Sequence, residues 1–275
     1  NNHTNLVYKA RNEEVLLDLP VSASAEERLT DKSCLNVEDI VRFADTVDPA
    51  LLEPVLERQI RYNSAIAEEG IRGGWGAEIG RILLEGANGD IQTEAKAYAA
   101  AGSDARMSGC EMPVVILSGS GNQGITASLP VIRYAKRLGA SREKLLQALA
   151  LSDLITIHQK TGIGRLSAYC GAISAGVGAG AGICYLQGGG YTAVAHTVVN
   201  AVAVLSGTIC DGAKPSCAAK IAAAVDAGIM GYRMYLHDRE FRRGEGIVSD
   251  SVDKTIRNVG ILAQQGMLQT DRTIL

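Results

Sequence analysis

Cys170, Cys210 and Cys217 are the residues of this chain whose type and spacing could act together in chemistry. Cys210 and Cys217 bracket the loop-like string Asp211-Gly212-Ala213-Lys214-Pro215-Ser216, and Cys170 lies upstream between Tyr169 and Gly171. All three fall in or beside Gly/Ala-rich segments, where small side chains let backbone approach a bulky group closely. Three thiolates without an obvious fourth suggest a metal centre with one open position, which is what a Lewis-acid catalyst needs. Thiolates suit zinc or iron–sulfur clusters. Structural zinc sites usually show two close-spaced ligand pairs, and here there is one wide pair; clusters tolerate wider spacing. Read from residue types alone, three buried core thiols remain the plainer account, since cysteine is often a small core residue. Cys34, Cys110 and Cys184 are expected to be core thiols as well.

A second candidate is Ser118-Gly119-Ser120-Gly121-Asn122-Gln123-Gly124, which follows the apolar run Val114–Leu117 and precedes a helix expected near Ile125. Glycines ahead of a helix start expose backbone N–H groups that bind anions, and the helix dipole assists. A carboxylate is a fitting guest. The string lacks the Gly-Lys-Ser/Thr of a nucleotide P-loop, and its glycine order does not match the dinucleotide fingerprint. An ordinary flexible loop would have the same composition. His158 stands near Lys160 and Arg165, cations that could hold an anionic substrate. His196 and Asn200 lie one turn apart and share a helix face. Asp104-Ala105-Arg106 and Gly244-Glu245-Gly246 could line a site or form surface loops.

These residues must be positioned by helices. Asn36 can cap a helix from Val37. Leu51, Leu52, Val55, Leu56, Ile60 and Ile66 keep helical spacing, with Gly70 as a stop. Further helices are expected at 76–85, 90–101, 125–138, 142–159, 166–186, 191–206, 216–236 and 250–266, giving roughly nine in all. Ser141 and Ser249 are expected caps and Gly139 a stop. Ahead of them, Leu6-Val7-Tyr8 and Val15-Leu16-Leu17 read as a hairpin about the turn Arg11–Glu14, and Ser22–Ser33 as a linker. An isolated hairpin is marginal in water, so these strands are expected to belong to a larger sheet.

The formal charge of −3 offers no basic surface for nucleic acid. Six cysteines in 275 residues are too sparse for a disulfide scaffold, and a reducing cytoplasm is expected. The chain opens at Asn1-Asn2-His3-Thr4 without an initiator Met, which is compatible with a removed targeting segment. From Leu166 to Cys210 there is no Asp, Glu, Lys or Arg. That stretch is long enough for membrane spans, but it carries polar residues and lacks aromatic belts and Lys/Arg flanks. Buried central helices of a non-membrane protein are the expected reading.

Several of these strings together resemble a known family. They are Ser118–Ile125, Arg165-Leu166-Ser167-Ala168 ahead of Cys170, and Ile209-Cys210-Asp211-Gly212-Ala213 with Ser216-Cys217-Ala218. With them go His3-Thr4-Asn5, Ser103-Asp104-Ala105-Arg106-Met107, Gly244-Glu245-Gly246-Ile247 and Gln269-Thr270-Asp271-Arg272. The chain resembles the L-cysteine desulfidase family, within the iron–sulfur L-serine dehydratase alpha-chain superfamily, over nearly its whole length. The resemblance implies a [4Fe–4S] cluster held by Cys170, Cys210 and Cys217, with one iron open to a small amino-acid substrate and no pyridoxal phosphate. It implies α,β-elimination of L-cysteine or L-serine to pyruvate and ammonia. Ser118, Gly119, Ser120, Gly121, Asn122, Gln123, Gly124 and Arg165 would bind substrate, and His158 is the in-chain candidate base.

Family members also carry an N-terminal region with a Gly-Cys-Thr-Glu-Pro motif whose cysteine is a candidate base. That motif is absent from this sequence, and Asn1-Asn2 stands where the family tends to have Gly-Gly. The expected architecture is therefore a mainly α multi-helix bundle with a short N-terminal β remnant of a truncated α/β domain. Residues 1–35 would be the hairpin remnant and linker, and 36–275 the helical cluster-binding catalytic domain. The missing N-terminal portion and a second copy in a homodimer are the expected protein partners. The rival reading is a non-catalytic helical domain that binds a small amino acid.

Overall fold

A computed structural model describes residues 6–20, 30–164 and 167–274. Asn1–Asn5, most of the expected linker and Arg165 lie outside the described residues. The chain divides into two compact units, Asn1–Cys34 and Leu35–Leu275. The first contains an antiparallel hairpin of β1 (Tyr8–Arg11) and β2 (Glu14–Asp18). Its turn is Asn12-Glu13, narrower than expected, with Asn12 in the left-handed conformation that Asn tolerates well. The register runs Tyr8↔Asp18, Lys9↔Leu17, Ala10↔Val15, so Leu16 is the extra residue of a bulge.

The second unit is a helical bundle, as the apolar spacing and the Ala/Gly composition imply. Its helices are α1 (Val37–Thr46), α2 (Pro49–Arg72), α3 (Ile79–Glu85), α4 (Ile91–Met107), α5 (Gly121–Leu138) and α6 (Arg142–Ile163). They continue with α7 (Gly171–Leu186), α8 (Tyr191–Val204), α9 (Cys217–Leu236), α10 (Val252–Ile261) and α11 (Leu268–Ile274). A π turn, Leu262–Gly266, joins the last two in place of one helix over 250–266.

α7 is the central element. Every residue from Ala172 to Leu186 is buried, which explains the absence of charge in this part of the sequence. Its glycines alternate between two neighbours. A Cβ on Gly176 would lie 2.2 Å from Ala224 O of α9, and one on Gly180 would lie 2.4 Å from Gly228 O. On the opposite side, a Cβ on Gly178 would meet Thr156 Oγ1 of α6 at 2.2 Å. Glycines two residues apart face nearly opposite ways on a helix, so α6 and α9 both press against the α7 backbone. Among the described residues, no helix is long and apolar enough to cross a membrane.

Five expectations about helix limits need correction. The helix expected over 166–186 begins only at Gly171, because Tyr169 is in a bridge with Ile209. Gly70 is not a stop: α2 continues to Arg72, and a Cβ on Gly70 would sit 2.0 Å from Ala101 O of α4. Close packing, not chain reversal, requires the glycine. α4 runs on to Met107, so Asp104 and Arg106 are helical rather than loop residues. α5 starts at Gly121, so half of the presumed glycine loop is its first turn. α10 is capped by Ser251, not Ser249, because the Ser251 side chain accepts from Lys254 N.

Candidate functional site

The three cysteines come together at one end of the α7–α9 pair. Cys170 is the N-cap of α7 and Cys217 the first residue of α9. Cys210 is drawn beside Cys170 by a short antiparallel bridge between Tyr169 and Ile209. Cys170 N donates to Thr208 O at 2.9 Å, and Cys210 N donates to Ala168 O at 2.6 Å. The bridge is tied down from two sides, by Asp271 of α11 accepting from Ala168 N and by Tyr169 Oη donating to Ser206 O. The Cys170 and Cys210 side chains lie close enough to act on each other's ionisation. Cys170 is pushed up chiefly by Cys210, with burial adding to it. Cys210 is pulled down chiefly by Cys170, against burial and with help from Gly212 N–H, Lys220 and Lys160.

The serine/glycine string abuts this group. Ser118 and Gly119 both have positive φ and form a tight turn between Leu117 and Ser120, which pair with each other. Buried Asn63 of α2 fixes the preceding run, accepting from Val115 N at 2.9 Å and donating to Ser128 Oγ at 3.0 Å. A Cβ on Gly124 would lie 2.0 Å from Val115 O, and one on Gly121 would lie 2.4 Å from Arg106 Nε. These two glycines make room for protein groups rather than for a ligand. Gln123 is 4% exposed. Its amide lies against Gly171, where a Cβ would be 2.5 Å from Nε2. Gln123 Oε1, and Ser174 Oγ one turn beyond Cys170, are buried with no hydrogen-bond partner among the described residues.

Three helix starts therefore meet here, those of α5, α7 and α9. None of their N-cap side chains, Ser120, Cys170 or Ser216, accepts a helix N–H. At α9 backbone carbonyls serve instead, Lys214 O accepting from Cys217 N and Pro215 O from Ala218 N, and at α7 Cys170 O accepts from Ile173 N. The first-turn N–H groups of Gly121, Asn122 and Gln123 in α5 have no acceptor among the described residues, and such groups, with the dipole, attract anions. Three cations add to the field. Cys217 acts on Arg106, and Cys170 and Cys210 act on Lys160, whereas burial pushes both cations' pKa values down. Lys220 donates to Ile209 O at 2.7 Å and pairs with Asp211 at 3.0 Å. Burial opposes its charge, but Asp211, Cys170 and Cys217 together raise its pKa. Lys160 is only 6% exposed, and among the described residues no carboxylate pairs with it or with Arg106. The sequence points to both cations without fixing their roles: Lys160 as a neighbour of His158 that could hold an anion, and Arg106 within a polar string that could line a site or form a surface loop.

Other predicted residues lie elsewhere. His158 Nε2 and Asp253 Oδ1 of α10 are 2.7 Å apart. His158 and Lys160 are about 200° apart around α6, so the lysine and not the histidine faces the cysteines. His196 pairs with Glu240 at 2.7 Å. Buried Asn200 holds the segment after α9, donating to Arg239 O and accepting from Phe241 N. Gly244-Glu245-Gly246 is a self-bonded turn in which Arg242 N donates to Glu245 Oε2. Asp104 is fully buried, accepts from Gly80 N at the start of α3, and is pushed up chiefly by burial. Cys184 is a core thiol as expected, but Cys110 is half-buried and Cys34 exposed.

This is a helical bundle in which three thiols meet the starts of α5, α7 and α9, with Arg106, Lys160 and Lys220 beside them. Residues 16–275 match the family described as serine dehydratase alpha chain, and the chain belongs to that family. It is 56% identical over 273 residues to a UPF0597 protein of Desulfitobacterium hafniense, covering 99% of this chain and 64% of that protein. It is 46% identical over 279 residues to a UPF0597 protein of Treponema denticola, covering 99% and 65%. A UPF0597 protein of Bacteroides thetaiotaomicron is 41% identical, with 99% and 64% covered. The chain thus spans a little under two thirds of the length of these curated relatives. No solved structure matches it.

Proposed function

We propose that the end of the bundle where the three cysteines meet is the cluster site of an iron–sulfur lyase that converts L-cysteine to pyruvate, ammonia and sulfide, or L-serine to pyruvate and ammonia. The observation that supports this most is the convergence of three thiols on three helix starts that their own side chains do not cap, beside buried Lys160 and half-buried Arg106, which have no carboxylate partner among the described residues. Among the described residues, no three of His, Cys, Asp and Glu are grouped to hold a single metal ion. A cluster makes a different demand, because its cysteines bind separate irons and surround a body rather than a point. Cys170, Cys210 and Cys217 fit that demand. So does Lys160, since a buried ammonium needs negative charge nearby, and thiolates with their cluster provide it. The unpartnered Gln123 Oε1 and Ser174 Oγ are further polar groups facing no protein partner beside Cys170.

When bound, a [4Fe–4S] cluster supplies a Lewis-acidic iron for the leaving group on Cβ. The chain's own residues bind and orient. The free N–H groups of Gly121, Asn122 and Gln123 donate to the substrate carboxylate, as helix starts do for anions. Buried Ala168, Tyr169 and Cys170 keep water from one side of the site. His158 lies about 200° around α6 from Lys160 and is held by Asp253 through Nε2, so the proton at Cα is left without an assigned base in this reading.

Anaerobic reconstitution with iron and sulfide tests the reading. The protein should turn brown, with a broad charge-transfer band and about four irons per chain, and should then release pyruvate from L-cysteine or L-serine. Cys210→Ser should abolish the band. An unchanged spectrum in that variant would sink the assignment.

A further inference from the structure

We propose that Arg106 is the residue that recognises the substrate's α-carboxylate, and that Gly121 is glycine so that the guanidinium can lie over the start of α5. This deepens the reading above and rests on it. Arg106 is in the last turn of α4, where it reaches across to α5. Its Nη1 donates to Asn122 Oδ1 at 3.2 Å, and Met107 Sδ lies within 3.5 Å of Asn122 Nδ2. A Cβ on Gly121 would be 2.4 Å from Arg106 Nε and 2.8 Å from its Cζ, so only a hydrogen fits beneath the guanidinium.

Arg106 is half-buried, and burial pushes its pKa down. The guanidinium has five N–H donors in a planar fork, and no carboxylate among the described residues uses them. A desolvated cation left in that condition is costly unless an anion joins it. Beside it, Gly121, Asn122 and Gln123 present backbone N–H groups that the Ser120 side chain does not satisfy. Gln123 is nearly fully buried and has a free amide oxygen. A planar fork next to a row of N–H groups matches a carboxylate, which accepts on both oxygens. The free amide oxygen of Gln123 suits a donor such as the neighbouring ammonium of an α-amino acid. An uncharged carboxamide should be rejected, because it cannot supply the missing negative charge.

L-alanine and L-alaninamide test this without turnover, since neither has a leaving group on Cβ. Calorimetric titration of the iron-loaded protein should show L-alanine binding at least tenfold more tightly than the amide, as charge-assisted pairs do relative to neutral ones. Arg106→Gln should weaken L-alanine at least tenfold, leave L-alaninamide nearly unchanged, and bring the ratio close to one. Arg106→Lys should restore part of the preference. Gly121→Ala, which keeps the arginine but displaces it, should lower the ratio as Arg106→Gln does. All three variants should retain the iron absorbance of the parent, which also reports that they fold. The proposal is overturned if Arg106→Gln keeps the parent's preference, or if the parent has no preference or binds neither compound. Failure of iron loading with the preference intact would instead overturn the lyase reading alone, and the same titration on the iron-free protein distinguishes the two.

Discussion

Five helix starts in this molecule are capped by their own side chains, and three that meet at the cysteines are not. Asn36, Asp48, Asp90, Ser141 and Ser251 each accept a first-turn N–H of α1, α2, α4, α6 and α10. Ser120, Cys170 and Ser216 do not do so for α5, α7 and α9. A cap contributes about 1 kcal/mol, so the second group forgoes stability that two serines could supply. Charges divide in the same way. Arg133 and Arg137 share Glu94, and Arg142 meets Glu53 and Glu57, whereas Arg106 and Lys160 have thiols rather than carboxylates for company. The starts of α3 and α8, at Glu78 and Gly190, also lack a cap from their own side chains, although Asp104 of α4 accepts from Gly80 N of α3; what sets the cysteine end apart is that three such starts, thiols and cations without carboxylates occur together there.

α6 carries both kinds of burial, and Asp153 gives the largest expected effect. Its carboxylate receives Gln59 Nε2 at 3.1 and 3.0 Å instead of a cation. Enclosure raises its pKa to about 7, against the weaker opposing effect of Gln59. The residue as a whole keeps partial surface exposure, so the full linkage value is an upper limit. A folded-state pKa above the unfolded one means that the native state holds the proton more tightly. Stability should therefore fall as pH rises from about 4 to about 7, by at most about 4 kcal/mol, and then level off. Urea midpoints across that range should show the slope, and Asp153→Asn should remove it. A slope that survives the substitution would assign it to another group.

Gly176→Ala is expected to rank next. The new methyl would meet the Ala224 carbonyl at 2.2 Å, a backbone contact that a side-chain rotation cannot relieve. Overpacking of this kind costs about 3 kcal/mol, read as a loss of several degrees in Tm. Because α7 and α9 carry Cys170 and Cys217, iron uptake should fall as well. Gly119→Ala is the control for lost uptake, since a Cβ there meets nothing within 4 Å; its own cost is the strain of a positive φ.

Much of this division could be read in the sequence, and the reasons differ by residue. The cysteines were legible because their order and loop context resemble a family. The central helix was legible because a long stretch without charge has few places to go except the interior. Gly70, Gly121 and Gly124 misled for one shared reason. Glycine lowers helix propensity, so each reads as a stop or loop, while its actual cause is a neighbour distant in sequence: Ala101, Arg106 and Val115. Arg106 was obscured for the same reason, because the helix that carries it is buried along Ala99–Ala105 and lacks a clear polar face. Tertiary contact chose these residues, and no local pattern reports it.

The caps allow a finer comparison. Ser141→Ala should lower stability by about 1 kcal/mol, since its side chain holds Lys144 N. Ser216→Ala should change it by only a few tenths, because that side chain caps nothing. Equal losses in paired thermal melts would mean that the uncapped starts are ordinary scaffold.

Ser120→Asp reverses the experiment. A carboxylate at the N-cap of α5 should accept a first-turn N–H and add about 0.5 kcal/mol from cap and dipole together. It would also occupy the N–H groups proposed for substrate and place negative charge beside Arg106. The variant should therefore melt slightly higher than the parent and bind L-alanine less tightly. The two changes have opposite signs because one set of N–H groups cannot serve both an internal cap and an external anion. Stabilisation with undiminished binding would show that the start of α5 is free of substrate, and would leave the uncapped serine without a role in the pocket.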